Sequence, residues 1–366
     1  MAKKVLVAVS GGVDSSTVLW LLKKEGYDVV AAHMKLWNYE EVGGDLYQDG
    51  RCCSMESVND LHQVCGSLGV PFYVLNFVDQ FRETVIEYFV SEYGQGRTPN
   101  PCVLCNVDLK WTGFLKKAVE LECDYIATGH YAKVEHNAGG RYYIRKGLDE
   151  TRDQSYFLWG LRQEMLAKTL MPLGEYRKSE VRIIASEAGL KTANKSESRD
   201  VCFVADNDYR RFLEDWKNKN REGFIPGKIV NDKGEEVGEH QGIAFYTIGQ
   251  RKGMGIAHTD PYYVKEILPE KNLLIVTDNK NSLLHSEFQI ENINWMGLDN
   301  PSSEFTAEVK IRYLHPPSKA KIIPLENNCA RVVFENPQRA ITPGQSAVFY
   351  DDDILLGGGF IRGIKN

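Results

Sequence analysis

The chain has 366 residues, of which 43% are hydrophobic and 26% charged, and its formal net charge is −6. It is long enough to bury a sizeable core, and its length predicts two or three domains. The acidic balance gives no global field for a polyanion, so a nucleic-acid partner would have to bind a local basic surface. Neither a signal peptide nor an apolar run of about 18 residues is read, because "VLVAVSGG" gives way to a polar helix. A cytoplasmic protein is expected. In that compartment the eight cysteines are not a disulfide framework and are judged singly.

In chain order, "KKVLVAVS" reads as a buried strand. "VDSSTVLWLLKKEG" follows as a helix, with Val18, Leu19 and Leu22 at helical spacing and Gly26 as its stop. "DVVAAHMKLW" is a second strand and "MESVNDLHQVCGSLG" a second helix. "VPFYVLNF" is a third strand and "DQFRETVIEYFVSEYGQG" a third helix. After a Pro-rich loop, "LKWTGFLKKAVELE" is helical and "CDYIATGHYAKV" begins as a strand. This alternation predicts an α/β fold over residues 1–205, a doubly wound parallel sheet with helices on both faces. Ligands then belong at the carboxyl ends of the strands. Beyond a helical "DYRRFLEDWKNKN", short β-like runs take over: "GKIVNDKGEEVGEH", with a hairpin signal at "NDKGE", then "AFYTIGQRKG" and "YYVKEILPEKNLLIVT". A small, mainly β domain is expected over 206–280. From 281 to 366, "FTAEVKIRYL", "KAKIIPL", "CARVVFE" and "QSAVFYDDDILLGGGFI" predict a small antiparallel barrel or sandwich.

The turn after the first strand, "SGGVDSS", carries the chemistry. A strand running into Ser10, Gly11 and Gly12, with a helix starting near Asp14, aims several backbone N–H groups at one point. Such a point binds phosphate oxygens. The hydroxyls of Ser10, Ser15 and Ser16 add donors. A Walker loop would place a lysine here for γ-phosphoryl chemistry, and this turn has none. A cradle of N–H groups with Asp14 suits a pyrophosphate that departs with Mg2+.

The segment resembles the PP-loop of the ATP pyrophosphatases. Seven further stretches, "GRTPNPCVLCN", "ATGHYAKV", "RDQSYFLWGL", "SRDVCFV", "PGKIV", "GQRKGMGI" and "TPGQSAVFY", in that order, resemble the tRNA-specific 2-thiouridylase family from end to end. The resemblance implies ATP-dependent adenylation of the C2 oxygen of a tRNA wobble uridine, followed by sulfur attack at C2 and departure of AMP. It places the nucleotide along Ala8, Val9, Ser10, Gly11, Gly12, Val13, Asp14 and Ser15, with Met34 and Gly129. Asp14 is the implied Mg2+ ligand. It makes Cys105 the nucleophile that works on the sulfur and Cys202 the persulfide carrier, supplied by a cysteine desulfurase or relay protein. It gives tRNA contacts to Asn100, Pro101, Cys102, His130, Arg152, Asp153, Gln154, Arg312, Tyr313 and Gln345.

Cys105 is expected in a loop leading into the "LKWTGFL" helix, where the helix dipole would activate it. Cys65, Cys123 and Cys329 sit in ordinary helix or strand patterns and read as structural. Cys52 and Cys53 fit a metal, a tRNA contact or an idle loop equally. Some family members carry aspartate where this chain has Cys102, so a carboxylate acid–base role is not available here. Two sulfur mechanisms compete: persulfide chemistry ending in a Cys105–Cys202 disulfide, and a 4Fe-4S cluster on Cys102, Cys105 and Cys202. Other functions to be separated are a PP-loop ligase for a small molecule, which would need no reactive cysteines, and a non-catalytic tRNA-binding protein. A 4-thiouridine synthase would carry extra N-terminal RNA-binding modules.

Overall fold

The computed structural model describes residues 2–38, 42, 55–195, 201–204, 206–219 and 223–364. The chain forms two compact units, one of residues 1–85, 102–208 and 353–356, the other of residues 86–101, 209–352 and 357–366.

The first unit is built on a five-stranded parallel sheet. Its strands are β1 (Lys4–Ala8), β2 (Asp28–Lys35), β3 (Phe72–Asn76), β4 (Tyr125–Ala127) and β7 (Thr169–Leu170), in the order β3-β2-β1-β4-β7. Register is set by pairs such as Leu6 with Val30 and Leu6 with Ile126. One face, carrying Val5, Val7, Val29 and Ala31, shares a core with α1 (Val13–Lys24), α2 (Met55–Leu68) and, later in the chain, a helix at Lys178–Glu187. The alternate residues Leu6, Val30 and Ile126 are buried too, so both faces are covered, as a parallel sheet requires. The strand order reverses between β1 and β4. Their carboxyl ends therefore leave a crevice, the usual ligand position in such sheets.

Helix α3 (residues 78–94) is α-helical over Val78–Phe81 and Glu87–Gly94 and π-helical over Arg82–Ile86. Helix α4 (101–120) opens at Pro101–Leu104, is π-helical over Cys105–Gly113 and returns to α-helix over Phe114–Glu120. A hairpin of β5 (Ala132–His136) and β6 (Tyr142–Lys146) pairs with Ile354 and Leu355. Helix α5 (Lys178–Glu187) begins with the Glu180 side chain accepting from the Arg177 amide at 2.6 Å, an N-terminal cap.

The second unit contains helix α6 (Tyr209–Lys219) and two β systems. A four-stranded sheet has the order β10-β11-β8-β9, from β8 (Gly227–Asn231), β9 (Glu236–His240), β10 (Tyr263–Leu268) and β11 (Leu273–Thr277). The "NDKGE" hairpin forms as the sequence predicts, with the Asn231 side chain accepting from the Lys233 and Glu235 amides. "AFYTIGQRKG" does not form a strand. Ile243–Phe245 is a 3-10 turn, and the stretch after it is irregular up to β10. Its aromatic residues are instead buried as side chains, Phe245 and Tyr246 among them, so their burial mimics a strand pattern. Strands β12 (Leu284–Asn294), β13 (Phe305–Lys310), β14 (Ser318–Leu325), β15 (Cys329–Arg339), β16 (Ser346–Asp351) and β17 (Ile354–Gly363) follow. Their order β12-β15-β14-β13-β16-β17, with β17 pairing back to β12, closes a six-stranded barrel.

Within the first unit, Trp111 of α4 is fully buried and its indole N–H donates to Thr169 Oγ1 at 2.8 Å, tying the helix to the start of β7. Trp111→Phe removes that bond and part of the packing. It is expected to lower unfolding stability by about 1–3 kcal/mol in urea titrations, and an unchanged midpoint would contradict the role given to the bond.

Candidate active site

The glycine turn lies at the end of β1, beside the end of β4. Gly11 has φ +83°, and a Cβ there would stand 2.9 Å from Ser57 Cβ, so both backbone and space demand glycine. The Ser10 amide donates to Ser15 Oγ at 3.1 Å, and the Ser16 hydroxyl donates to the Gly12 carbonyl at 3.0 Å. Ser15 and Ser16 are buried and Ser10 is exposed. The first N–H groups of α1 have no intrahelical acceptor, which makes the turn a concave set of donors for an anion.

Asp14, in the first turn of α1, accepts three hydrogen bonds from two groups. The Lys178 ammonium donates to Oδ1 and Oδ2 at 2.7 and 2.8 Å, and the Tyr131 hydroxyl donates to Oδ1 at 2.7 Å. Gly129 closes another side: a Cβ there would lie 3.2 Å from the Ser15 nitrogen and 3.3 Å from Asp14 Cβ. Lys178 is only 8% exposed, and its own amide donates to Asp149 Oδ2 at 2.9 Å. Sequence reading missed Lys178. The available signal was a lysine at the first position of a helix, where the dipole disfavours a cation.

Cys102 and Cys105 lie inside α4 and not in a loop before it, because Pro101 starts the helix. The π-helical stretch gives residue 110 a different heading. A π turn carries more residues than an α turn, so the side chains that follow Cys105 point in other directions than an α-helix would give them. Lys110 acts on both thiols. Burial pushes the Cys105 thiol up, with the Lys110 charge pulling it down and Asp108 opposing. Cys102 retains solvent-exposed surface, and desolvation by the protein around it, followed by Cys105, raises its thiol to about 11 against the pull of Lys110. Desolvation is the largest influence on each thiol, and it favours the protonated form. Cys65 is a core residue of α2, and burial raises its thiol to about 11.

Residues 128–131 connect the two places. His130 has its Nδ1 2.8 Å from Thr128 Oγ1 and its ring 5.5 Å from that of Trp111 on α4. Burial first and Lys110 second drive its pKa well below 6.5. Cys202 is exposed, next to Phe203, whose buried ring meets Phe81 edge-on at 5.5 Å. Cys52, Cys53 and Ser198 to Asp200 of the "SRDVCFV" stretch lie outside the described residues.

The first unit also holds Met34, buried in β2, and the "RDQ" residues. Asp153 is buried, accepting from the Gly147 and Ser155 amides and the Ser155 hydroxyl, so its carboxylate braces two loops. Gln154 accepts from the Tyr131 amide at 3.0 Å, and Arg152 is half-buried beside it. The second unit holds Asn100, Pro101, Arg312, Tyr313 and Gln345. Asn100 is buried and donates to Ser346 Oγ, and the Gln345 side chain donates to the carbonyls of Thr98 and Pro99 at 3.1 and 3.0 Å. Arg312 donates to the carbonyls of Arg339 and Ala340, and the Lys310 ammonium lies 5.7 Å above the Tyr313 ring. Among the described residues no group of three or more His, Cys, Asp or Glu is placed to hold a metal ion, so Cys102, Cys105 and Cys202 are not assembled as a cluster site. No helix among the described residues is long and apolar enough to cross a membrane.

The depressed His130 has a pH consequence. Below its ordinary value of 6.5 the unfolded chain binds a proton that the folded chain refuses, so acid weakens the fold. His130→Gln is expected to lose less stability than the native chain between pH 7 and pH 5. Parallel denaturation curves for the two proteins across that range would contradict it.

Three family models match in sequence. Residues 3–206 match the tRNA methyl transferase HUP domain, residues 211–278 the tRNA methyl transferase PRC-barrel domain and residues 285–361 the aminomethyltransferase beta-barrel domain. The chain is 48% identical over 364 residues to the tRNA-specific 2-thiouridylase MnmA 1 of Clostridium botulinum (strain Loch Maree / Type A3), covering 99% of this chain and 100% of the relative. It is 45% identical to the tRNA-specific 2-thiouridylase MnmA of Clostridioides difficile (strain 630), with 99% of each chain covered. A parallel HUP sheet with its glycine turn at the switch point and full-length identity at this level together place the chain in the tRNA-specific 2-thiouridylase family.

Proposed function

We propose that this protein is an ATP-dependent sulfurtransferase that converts the wobble uridine of tRNA to 2-thiouridine. The observation that carries the reading is the strap at residues 128–131. Gly129 backs onto the glycine turn while His130 meets the cysteine helix, so one four-residue segment joins a pyrophosphate cradle to two thiols in a single unit. A small-molecule ligase has no use for that second half. A tRNA-binding protein without catalysis has no use for the first.

In the proposed reaction the turn Ser10–Asp14 receives the triphosphate and the C2 oxygen of uridine attacks the α-phosphorus. Pyrophosphate leaves with the electron pair of the broken anhydride. The terminal sulfur of a Cys202 persulfide, loaded by a separate donor protein, then attacks C2 and AMP departs with the oxygen. Cys105 thiolate attacks Cys202 Sγ, which frees the thiocarbonyl sulfur and leaves a Cys105–Cys202 disulfide for a reductant to reopen. Mg2+ accompanying ATP would neutralise triphosphate charge. Asp14 is the carboxylate at hand for it, although its oxygens are engaged by Lys178 and Tyr131. The persulfide route is preferred over the cluster, and the exposure of Cys202 supports it, since a separate donor protein must reach the carrier thiol. We assign residues 1–205 to nucleotide and sulfur chemistry, and 206–280 and 281–366 to tRNA, with Met34 near the base of ATP and Arg312, Tyr313 and Gln345 on the RNA side.

The test is reconstitution of the anaerobically purified chain with unmodified tRNA, ATP and a persulfide donor, read by nucleoside mass spectrometry. One AMP per 2-thiouridine is expected, and Cys105→Ser and Cys202→Ser should each lower thiolation at least about a hundredfold. Full activity in either variant would exclude the route, and stoichiometric iron and sulfide required for turnover would replace it with the cluster. For the RNA side, Arg312→Ala should weaken tRNA binding, reduce its salt slope by roughly one and spare ATP binding. Equal affinity across a salt series would remove Arg312 from the interface.

A further inference from the structure

A carboxylate in the first turn of α1 stands where the backbone is shaped for an anion, and phosphates entering the turn would meet its negative charge. The protein answers with Lys178. Its ammonium reaches Asp14 through a bidentate contact at 2.7 and 2.8 Å, from a residue 164 positions away. It is the first residue of α5, where the helix dipole disfavours a cation. It is also nearly fully buried, a costly location for an ammonium that needs a strong anionic partner. Its place is fixed by the Glu180 cap on the Arg177 amide and by the Lys178 amide bond to Asp149, independently of Asp14. The backbone therefore holds the cation at the turn, and the oxygens it meets lie at the start of α1.

We propose that Lys178 is the phosphate-binding lysine that the turn itself lacks: it pairs with Asp14 in the nucleotide-free protein and transfers its ammonium contacts to the β- and γ-phosphate oxygens when ATP enters. The inference rests on the reading of the turn as an ATP site. During adenylation the uridine oxygen–phosphorus bond forms, the α–β phosphoanhydride breaks and the electron pair stays on pyrophosphate. Lys178 stabilises that growing charge and transfers no proton. The geometry differs from a Walker loop in one respect that matters: the lysine comes from another segment and reaches the turn beside Asp14, on the helix-α1 side, where a departing pyrophosphate would be retained.

Calorimetric titration of the full chain with ATP, pyrophosphate and AMP, in EDTA to remove any cation bridge, tests it. Lys178→Met should lose about tenfold to a hundredfold in affinity for pyrophosphate and ATP, the size of one or two charge-assisted hydrogen bonds, and keep AMP affinity within about twofold. Asp14→Asn, which releases Lys178 and removes the competing charge, should bind pyrophosphate at least as tightly as the native chain. The double variant Asp14→Asn with Lys178→Met is a neutral pair, so it carries the test should Lys178→Met alone not fold, and it should retain the loss. Native pyrophosphate affinity in Lys178→Met, an equal loss for AMP, or recovery in the double variant would each overturn the assignment and leave Lys178 as a neutraliser of Asp14. A native chain that binds AMP and ATP but shows no pyrophosphate affinity also overturns it with the nucleotide reading intact, whereas a native chain that binds no nucleotide removes both.

Discussion

The constraint on which the first unit turns is the charge of Asp14. A carboxylate at a helix N-terminus gains from the dipole, but it spoils the turn for phosphate unless a cation is near. Meeting that need from Lys178 requires β7, the following turn at 172–175 and α5 to lie against α1, and the shared core of Leu19, Leu22, Leu173, Val181 and Ala185 holds them there. Losing the Asp14 charge leaves a nearly buried ammonium without its carboxylate, which is more costly than the pair is worth. The sheet edge, the start of α5 and the nucleotide turn are thereby made interdependent.

The parallel sheet was legible because alternating strand and helix periods survive in every segment, and the glycine turn was legible because its backbone demands glycine at Gly11. The closed barrel followed from repeated short β runs, although nothing in the pattern separated it from a sandwich: closure depends on β17 pairing with β12, two strands far apart in the chain. "AFYTIGQRKG" misled because buried aromatics at short spacing imitate a strand when a 3-10 turn presents them. Pairing was the harder property. Lys178 and Asp14 are read correctly only when the fold has brought them together, and the loop bonds of Asp153 and of the Gln345 side chain are equally invisible in the sequence.

The cysteine helix shows the same limit in a different form. Hydrophobic spacing predicts a helix from about Leu109, while the structure starts it at Pro101 and winds Cys105–Gly113 as a π-helix. No local propensity announces that change. It becomes intelligible from tertiary bonds along the segment: Asn106 is buried and donates to the Phe157 carbonyl at 2.9 Å, and Trp111 donates to Thr169. Gly160 permits the approach, since a Cβ there would lie 2.7 Å from Val107 Cγ2. These contacts dictate which way successive residues point, and the wider turn lets all of them form at once.

Desolvation sets the resting protonation around the cysteine helix, and Lys110 modulates it. Desolvation favours the neutral form of every group, keeping Cys102 and Cys105 as thiols and His130 as imidazole near neutral pH. The ammonium acts against that in one direction only: it favours thiolate and disfavours imidazolium. A proton leaving Cys105 therefore gains from Lys110, but handing it to His130 would place a second positive charge beside the first. His130 is suited to accept or donate a hydrogen bond as a neutral ring and is a poor resting place for the proton.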